Sequence, residues 1–276
     1  MVHEWGPEDL EGVEPEVTAE AVHRQYVQAQ RPTPALLQIT FQRPPLHYMD
    51  PDFLRELQGV LAEVAFDGRL KVVTLTASGE YFSAGLDPAA MRDEDLFLTV
   101  DLFHRVVRQV LTLPAVVVGL LNGHAFGAGC VLAAVCDFTF APEGVRLGHP
   151  EVRYGHFTPL AMLLYPRLMP KNRALYLALS GEVVDAKTAA AWGLVAWALP
   201  ADQWRTQAER FVQHLTGMST SVLHHGRRAF WASVLSNWDE AVAALEEIYL
   251  VQHATTPDAR EGIRAWLERR TPTWTE

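Results

Sequence analysis

A run of small residues in the middle of the chain decides the fold: Asn122-Gly123-His124-Ala125-Phe126-Gly127-Ala128-Gly129-Cys130. The apolar stretch 115–120 precedes it and is typical of a buried strand. A helix is predicted to begin at about Gly127. Small residues at this point let a ligand approach the positive end of the helix closely. The run therefore predicts either a ligand-binding turn or a tight contact between helix and sheet.

A second turn of the same kind lies upstream, at Tyr81-Phe82-Ser83-Ala84-Gly85-Leu86-Asp87. Gly85 permits backbone angles that are closed to other residues. Asp87 precedes Pro88 and is a good N-cap for a helix that runs through Met91. An ordinary strand-to-helix turn has the same composition, so this segment alone does not distinguish a ligand site from a structural turn.

The third segment is Leu147-Gly148-His149-Pro150-Glu151. Together, the three segments resemble the enoyl-CoA hydratase/isomerase (crotonase) superfamily, and the resemblance covers about residues 35–270. It implies an α/β fold, the crotonase (ClpP-like) spiral of ββα units with a C-terminal helical region.

The resemblance also implies a function for individual residues. The backbone N–H groups of Leu86 and Ala128 would hold the oxygen of an acyl-CoA thioester, and Glu151 would be the acid or base. We expect burial to raise the pKa of Glu151. No metal or redox cofactor is implied, and CoA is part of the substrate. The residues expected to bind substrate are Ala84, Gly85, Asp87, Gly127, His149 and His156.

One difference from the family concerns the reaction. Hydratases of the family carry two glutamates; the second matches Glu151, but the first falls at Val131. A single carboxylate favours isomerase-type or related lyase chemistry, in which one proton is moved beside the thioester.

Two alternatives stay open. The first is an enoyl-CoA or cyclic dienoyl-CoA hydratase in which His149 or His156 replaces the missing acid. The segments Arg43-Pro44-Pro45 and His156-Phe157-Thr158-Pro159 are similar to the cyclic dienoyl-CoA hydratases. The second alternative is a non-catalytic acyl-CoA-binding homologue.

Three regions are predicted along the chain: an N-terminal extension (1–34) with a short helix over Thr18–Gln28, a spiral core (35–200) and a C-terminal helical trimerisation region (201–276). Strands are predicted at 35–41, 72–76, 115–120, 138–140 and 194–198. Besides the helix that opens at Asp50-Pro51, further helices are predicted over 95–113, 158–168, 171–180, 186–192, 203–216, 219–234, 237–252 and 256–269.

Composition limits the partners. The chain has 276 residues and a formal charge of −10, which argues against nucleic acid and anionic membranes. Its most apolar stretch, Ala115 to Leu121, is too short to span a bilayer, and the N-terminus does not resemble a secretory signal, so we expect a cytoplasmic protein. Cys130 and Cys136 are expected to be small buried residues, and the family resemblance implies a homotrimer or hexamer.

Overall fold

The computed structural model describes residues 25–91 and 93–235 and, further on, positions 252, 256–258, 261, 265, 268, 270 and 272–275. The strands are β1 (Val27–Thr33), β2 (Leu36–Phe41), β3 (Val72–Ala77), β4 (Tyr81–Ser83), β5 (Val116–Leu120), β6 (His124–Phe126), β7 (Phe138–Pro142), β8 (Arg146–Gly148), β9 (Val183–Asp185) and β10 (Trp197–Leu199). The α-helices are α1 (Pro51–Glu63), α2 (Asp93–Thr112), α3 (Ala128–Ala134), α4 (Pro159–Leu168), α5 (Lys171–Leu179), α6 (Ala186–Trp192), α7 (Trp204–Thr216) and α8 (Thr220–Leu235). Short 3-10 helices span Pro88–Met91 and Pro150–Tyr154.

The larger sheet has the strand order β1-β2-β3-β5-β7-β10 and is parallel except for the antiparallel pair β1 and β2. Both faces are buried at the central strands β3 and β5, as is usual for parallel strands inside a sheet. Val72 and Val116 pack with Trp204 of α7 on one face. Val73 and Val117 belong to the main core on the other.

The smaller sheet has the order β4-β6-β8-β9, in which β4, β6 and β8 are parallel. The chain places one strand in the large sheet and the next in the small sheet before each of the helices α2 and α3. This alternation is the spiral of ββα units, so the predicted α/β crotonase fold is confirmed. The small sheet itself was missed, because its three-residue strands are too short to show a period.

The N-terminal boundary is different from the one expected. Residues 27–33 are not an extension but form β1, which pairs with β2. The Glu56 carboxylate of α1 accepts hydrogen bonds from the backbone N–H groups of Tyr26 and Val27, at 2.7 and 3.0 Å. The helix predicted over Thr18–Gln28 is therefore wrong at its four described residues, 25–28, and residues 1–24 lie outside the described part.

Helix α1 begins as predicted: Asp50 caps it by accepting a hydrogen bond from the Phe53 N–H at 2.9 Å, and Pro51 is its first residue. Its predicted apolar face is buried, at Leu54, Leu57 and Leu61.

The C-terminal region contains α7 and α8 where they were predicted. Helix α8 is fixed to the sheet by Arg227, whose guanidinium lies 2.5 Å from the Asp137 carboxylate and donates to the carbonyl oxygens of Val110 and Leu113. Asp137 also accepts from the Trp231 indole N–H at 2.6 Å, so its carboxylate has a structural role. The helices predicted over 237–252 and 256–269 fall largely outside the described residues, and the division at residue 200 stays a prediction. Among the helices that are described, none has the length and hydropathy to cross a membrane.

Candidate active site

The three predicted segments come together at one edge of the small sheet. Ala84 to Leu86 follow β4, Gly127 and Ala128 follow β6, and His149 to Glu151 follow β8. These strands are neighbouring and parallel, so their carboxyl ends lie side by side, about 4.8 Å apart per strand. The sheet thereby collects segments that are distant in the sequence.

A cavity of about 560 Å³ opens over this edge. The three segments form its floor, with Ala84, Gly85, Leu86, Gly127, Ala128 and Glu151 in the lining. One wall is the face of α2 that carries Val100, Phe103 and His104, and residues 156–159 form another. A second cavity, of about 590 Å³, lies beneath α8 around Asp137 and Arg227 and contains none of the predicted site residues. The first cavity is therefore the candidate active site.

The two small-residue turns touch each other. A methyl group on the Cα of Gly85 would lie 3.0 Å from the Phe126 carbonyl oxygen and 3.3 Å from the Ala128 nitrogen. Gly85 has a φ of +102°, a conformation that L side chains rarely adopt. Glycine is thus required here both by the backbone angle and by the close approach of the second turn.

Hydrogen bonds hold the first turn in place. The Met49 N–H donates to the Gly85 carbonyl at 2.9 Å, and the Asp87 N–H donates to the Met49 carbonyl at 3.1 Å. The Leu86 N–H between them donates no hydrogen bond to any residue of the described chain. The Ala128 N–H also donates no hydrogen bond to a described residue. Ala128 is the first residue of α3, so its N–H has no acceptor within the helix. Both predicted donors are therefore available to a ligand in the cavity.

The Glu151 carboxylate lies against the second turn. A Cβ on Gly127 would be 3.1 Å from Glu151 Oε2. Glu151 Oε1 accepts a hydrogen bond from the Thr158 hydroxyl at 2.6 Å and lies 2.8 Å from His149 Nδ1. In the described part of the chain, no other residue donates a hydrogen bond to Oε2. Oε2 is thus the oxygen left for a substrate.

The expected rise in the pKa of Glu151 is wrong. Burial does raise it, but the hydrogen bond and charge of His149 and the Thr158 hydroxyl stabilise the carboxylate more, and the pKa of Glu151 is lowered. Glu151 is therefore ionised at neutral pH, the form that a base requires.

His149 lies behind Glu151 rather than in the cavity lining, which differs from the expectation that it binds substrate. Its side chain is fully buried, and its Nε2 lies 2.7 Å from the Tyr165 hydroxyl, which donates to Cys130 Sγ at 3.2 Å. Burial lowers the pKa of His149, but its contacts with Cys130 and Glu151 prevail and raise it to about 9. As an imidazolium, His149 donates through both nitrogens and holds Glu151 in place.

Asp87 also differs from the expectation, because it does not line the cavity. Its carboxylate accepts from the Ala89 N–H at 2.9 Å, as an N-cap does, and pairs with Arg43 at 3.2 Å. His156 does line the cavity and is exposed to solvent.

Val131 is fully buried in α3 and belongs to the apolar core. Glu151 is consequently the one carboxylate among the described residues of the lining. The described residues also contain no cluster of three or more His, Cys, Asp or Glu that could hold a metal ion.

Tyr48, His104 and Thr158 also line the cavity, and none of them was among the predicted site residues. Thr158 lies in the segment 156–159 that the family resemblance includes. His104 is a polar residue within the apolar stripe of α2, next to Phe103 and three residues before the buried Val107, and this position is a signal that the sequence offers.

Comparisons with known proteins identify the family to which this fold belongs. The family model described as enoyl-CoA hydratase/isomerase matches residues 32–276. The chain is 28% identical over 240 residues to a cyclohexa-1,5-dienecarbonyl-CoA hydratase of Thauera aromatica, covering 87% of this chain and 93% of that protein. It is 29% identical over 240 residues to a 2,3-dehydroadipyl-CoA hydratase of Escherichia coli K12, covering 86% and 94%.

A solved structure of an enoyl-CoA hydratase from Mycobacterium smegmatis superposes with a TM-score of 0.86 at 25% identity, covering 92% of this chain and all of that one. Since the family model matches most of the chain and the fold agrees with that of the solved structure, the chain is an enzyme of the enoyl-CoA hydratase/isomerase family, within the crotonase superfamily.

Proposed function

We propose that the chain catalyses one-base, isomerase-type chemistry on an acyl-CoA, with Glu151 as the base and the N–H groups of Leu86 and Ala128 as the oxyanion hole. One observation carries the proposal. Glu151 is ionised and has one oxygen without a donor from another described residue, while the buried Val131 stands where the hydratases carry the first of their two glutamates.

The reaction that fits is the shift of a double bond from the β,γ to the α,β position. Glu151 Oε2 takes a proton from the α-carbon, and the electrons of that C–H bond move to the thioester oxygen. The N–H groups of Leu86 and Ala128 stabilise the resulting dienolate, each contributing roughly 3 kcal/mol to the barrier reduction. Glu151 then returns the proton to the γ-carbon, so the base is regenerated and neither water nor a redox partner is consumed.

His149 supports this cycle through Glu151. Its imidazolium and the Thr158 hydroxyl occupy Oε1, so the carboxylate is held with Oε2 free to exchange the proton. An oriented carboxylate gains rate because the reacting atoms are already in place.

A hydratase is the second candidate, and the names of the two curated relatives favour it. Water addition needs a second group to hold the water. His149 does not line the cavity, so His156 is the replacement that remains from the sequence analysis. A non-catalytic acyl-CoA-binding protein is the third.

The test is Glu151→Gln, which keeps the size of the side chain but cannot act as a base. We expect turnover to fall about 10²-fold or more, with acyl-CoA affinity nearly unchanged. Exchange of α- or γ-hydrogens with deuterated water gives a readout that does not require the product to be known. The control is Glu182→Gln, which alters an exposed carboxylate paired with Arg153.

Each outcome assigns one candidate. If Glu151→Gln exchanges hydrogen as fast as the parent, Glu151 is not the base. Formation of a 3-hydroxyacyl-CoA by the parent would select the hydratase. Binding without exchange or turnover, across a panel of thioesters, would select the non-catalytic protein.

The cytoplasmic location and the trimer or hexamer stay predictions, and light scattering of the purified chain tests the oligomeric state.

A further inference from the structure

One residue of the cavity lining carries a polar atom that the proposed chemistry does not use. His104 lies in the wall formed by α2, and its Nε2 is buried and has no hydrogen-bond partner within the described chain. An unpartnered buried polar group is costly, so native structures almost always supply a partner for it. Nε2 has almost no accessible surface in the empty cavity, but His104 is only partly buried, and a rotation of its imidazole ring about χ2 would turn this nitrogen to a bound substrate as its partner.

The surroundings of His104 place it at the acyl chain rather than at the thioester. It shares its helical face with Val100 and Phe103, and these side chains are apolar. Both proposed oxyanion donors lie instead on the turns after β4 and β6. An acyl chain that lies along α2 would thus meet one hydrogen-bonding group in an otherwise apolar wall.

The charges of the site select an uncharged partner. Glu151 is ionised, and the described lining residues include neither Lys nor Arg. Burial lowers the pKa of His104, and the nearby Asp101 only partly opposes this, so the imidazole is neutral at pH 7. A terminal carboxylate on the acyl chain would therefore be desolvated without a countercharge.

We infer that His104 is a specificity residue that hydrogen-bonds an uncharged hydroxyl or carbonyl group on the acyl chain, away from the thioester. This inference rests on the proposed acyl-CoA function and names its substrate class. The neutral imidazole can donate to a carbonyl, or donate to or accept from a hydroxyl.

The test measures binding to saturated CoA thioesters, which cannot undergo the proposed reaction. Three matched series, ending in a methyl, a hydroxyl or a carboxylate group, are titrated calorimetrically at several chain lengths. At the best length we expect the parent to bind the hydroxyl ligand about tenfold more tightly than the methyl ligand, as one buried hydrogen bond would give. We expect the carboxylate ligand to bind most weakly.

Two substitutions assign the preference to His104. His104→Phe keeps an aromatic ring without hydrogen-bonding atoms and should abolish the preference, whereas His104→Gln should retain part of it. His214→Phe, at an exposed position of α7, is the matched control and should leave it unchanged. Melting temperatures show that each variant is folded.

The inference is overturned if the parent shows no preference at any length, if His104→Phe keeps the preference, or if the carboxylate ligand binds best. A water molecule as the permanent partner of Nε2 would give the first result. A failure of the proposed function is distinguished by a different experiment. It would appear as normal hydrogen exchange in Glu151→Gln, and it would leave the affinities for these saturated ligands unaffected.

Discussion

We expect Gly127→Ala to lower both the free energy of unfolding and the turnover of the enzyme, and each effect can be estimated from the structure. Gly127 has φ 52° and ψ −122°, a combination that is essentially restricted to glycine, and a side chain forced into it costs of order 1–3 kcal/mol. The new Cβ would also lie 3.1 Å from Oε2 and 3.3 Å from Oε1 of Glu151. The carboxylate must then move by a few tenths of an ångström. Because a displacement of about 1 Å costs on the order of 10²-fold in rate, we expect Gly127→Ala to lose about tenfold or more in turnover.

The assay pairs turnover, or hydrogen exchange where the substrate is unknown, with thermal melting. Gly59→Ala is the control, since Gly59 lies inside α1 and an added Cβ would meet no atom within 4 Å. That variant should gain about 0.5–1 kcal/mol in the free energy of unfolding and keep its activity. If Gly127→Ala is as active and as stable as the parent, then neither the strained turn nor the position of the Glu151 carboxylate matters, and the reasoning fails.

Three further variants probe the remaining parts of the site. His149→Gln should lose stability mainly at low and neutral pH. Folding raises the pKa of His149 from 6.5 to about 9, so its contribution of up to about 3 kcal/mol to the free energy of unfolding is full below pH 6.5 and disappears as the pH rises through about 9. Urea unfolding across this pH window should therefore show the stabilities of the two proteins converging. Ala128→Pro removes one oxyanion donor at the first residue of α3 without removing an intrahelical hydrogen bond, and should lower turnover about 10²- to 10³-fold. Because the proline ring enters the close contact with the turn at Gly85, the melting temperature should fall as well, and unchanged turnover in the folded variant would exclude this N–H from the oxyanion hole. Val131→Glu should melt at a lower temperature, since it buries a carboxylate in the core, and should gain water addition to a simple enoyl-CoA; an unchanged hydratase rate in the folded variant would show that the pocket and not the missing acid is limiting.

The sequence predicts most strands of the large sheet but not β1, and the three segments that it singles out meet at one cavity. Strand β3 is an apolar run buried on both faces, and Asp50 with Pro51 marks a helix start by local hydrogen bonding, so both signals are local. Strands β4, β6 and β8 were not predicted, because three residues carry no usable period and what holds these strands is pairing with distant segments.

The surroundings of Glu151 could not be predicted from the sequence for the same reason, because they depend on contacts between distant segments. Tyr165 and Cys130, which complete the buried contacts of His149, lie in α4 and α3 and approach it only in the folded chain. Without them, the apolar surroundings suggested a raised pKa for Glu151. The imidazolium at 2.8 Å reverses that direction.

The parallel pairing of β4, β6 and β8 also bears on how this scaffold can change during evolution. The strand spacing fixes the distance between the site segments, so the chain between them can diverge or change length without moving them. The proposed oxyanion donors at Leu86 and Ala128 are main-chain N–H groups, which remain when most side chains at these positions are exchanged. Selection can therefore alter the reaction one side chain at a time while the proposed oxyanion hole is inherited intact.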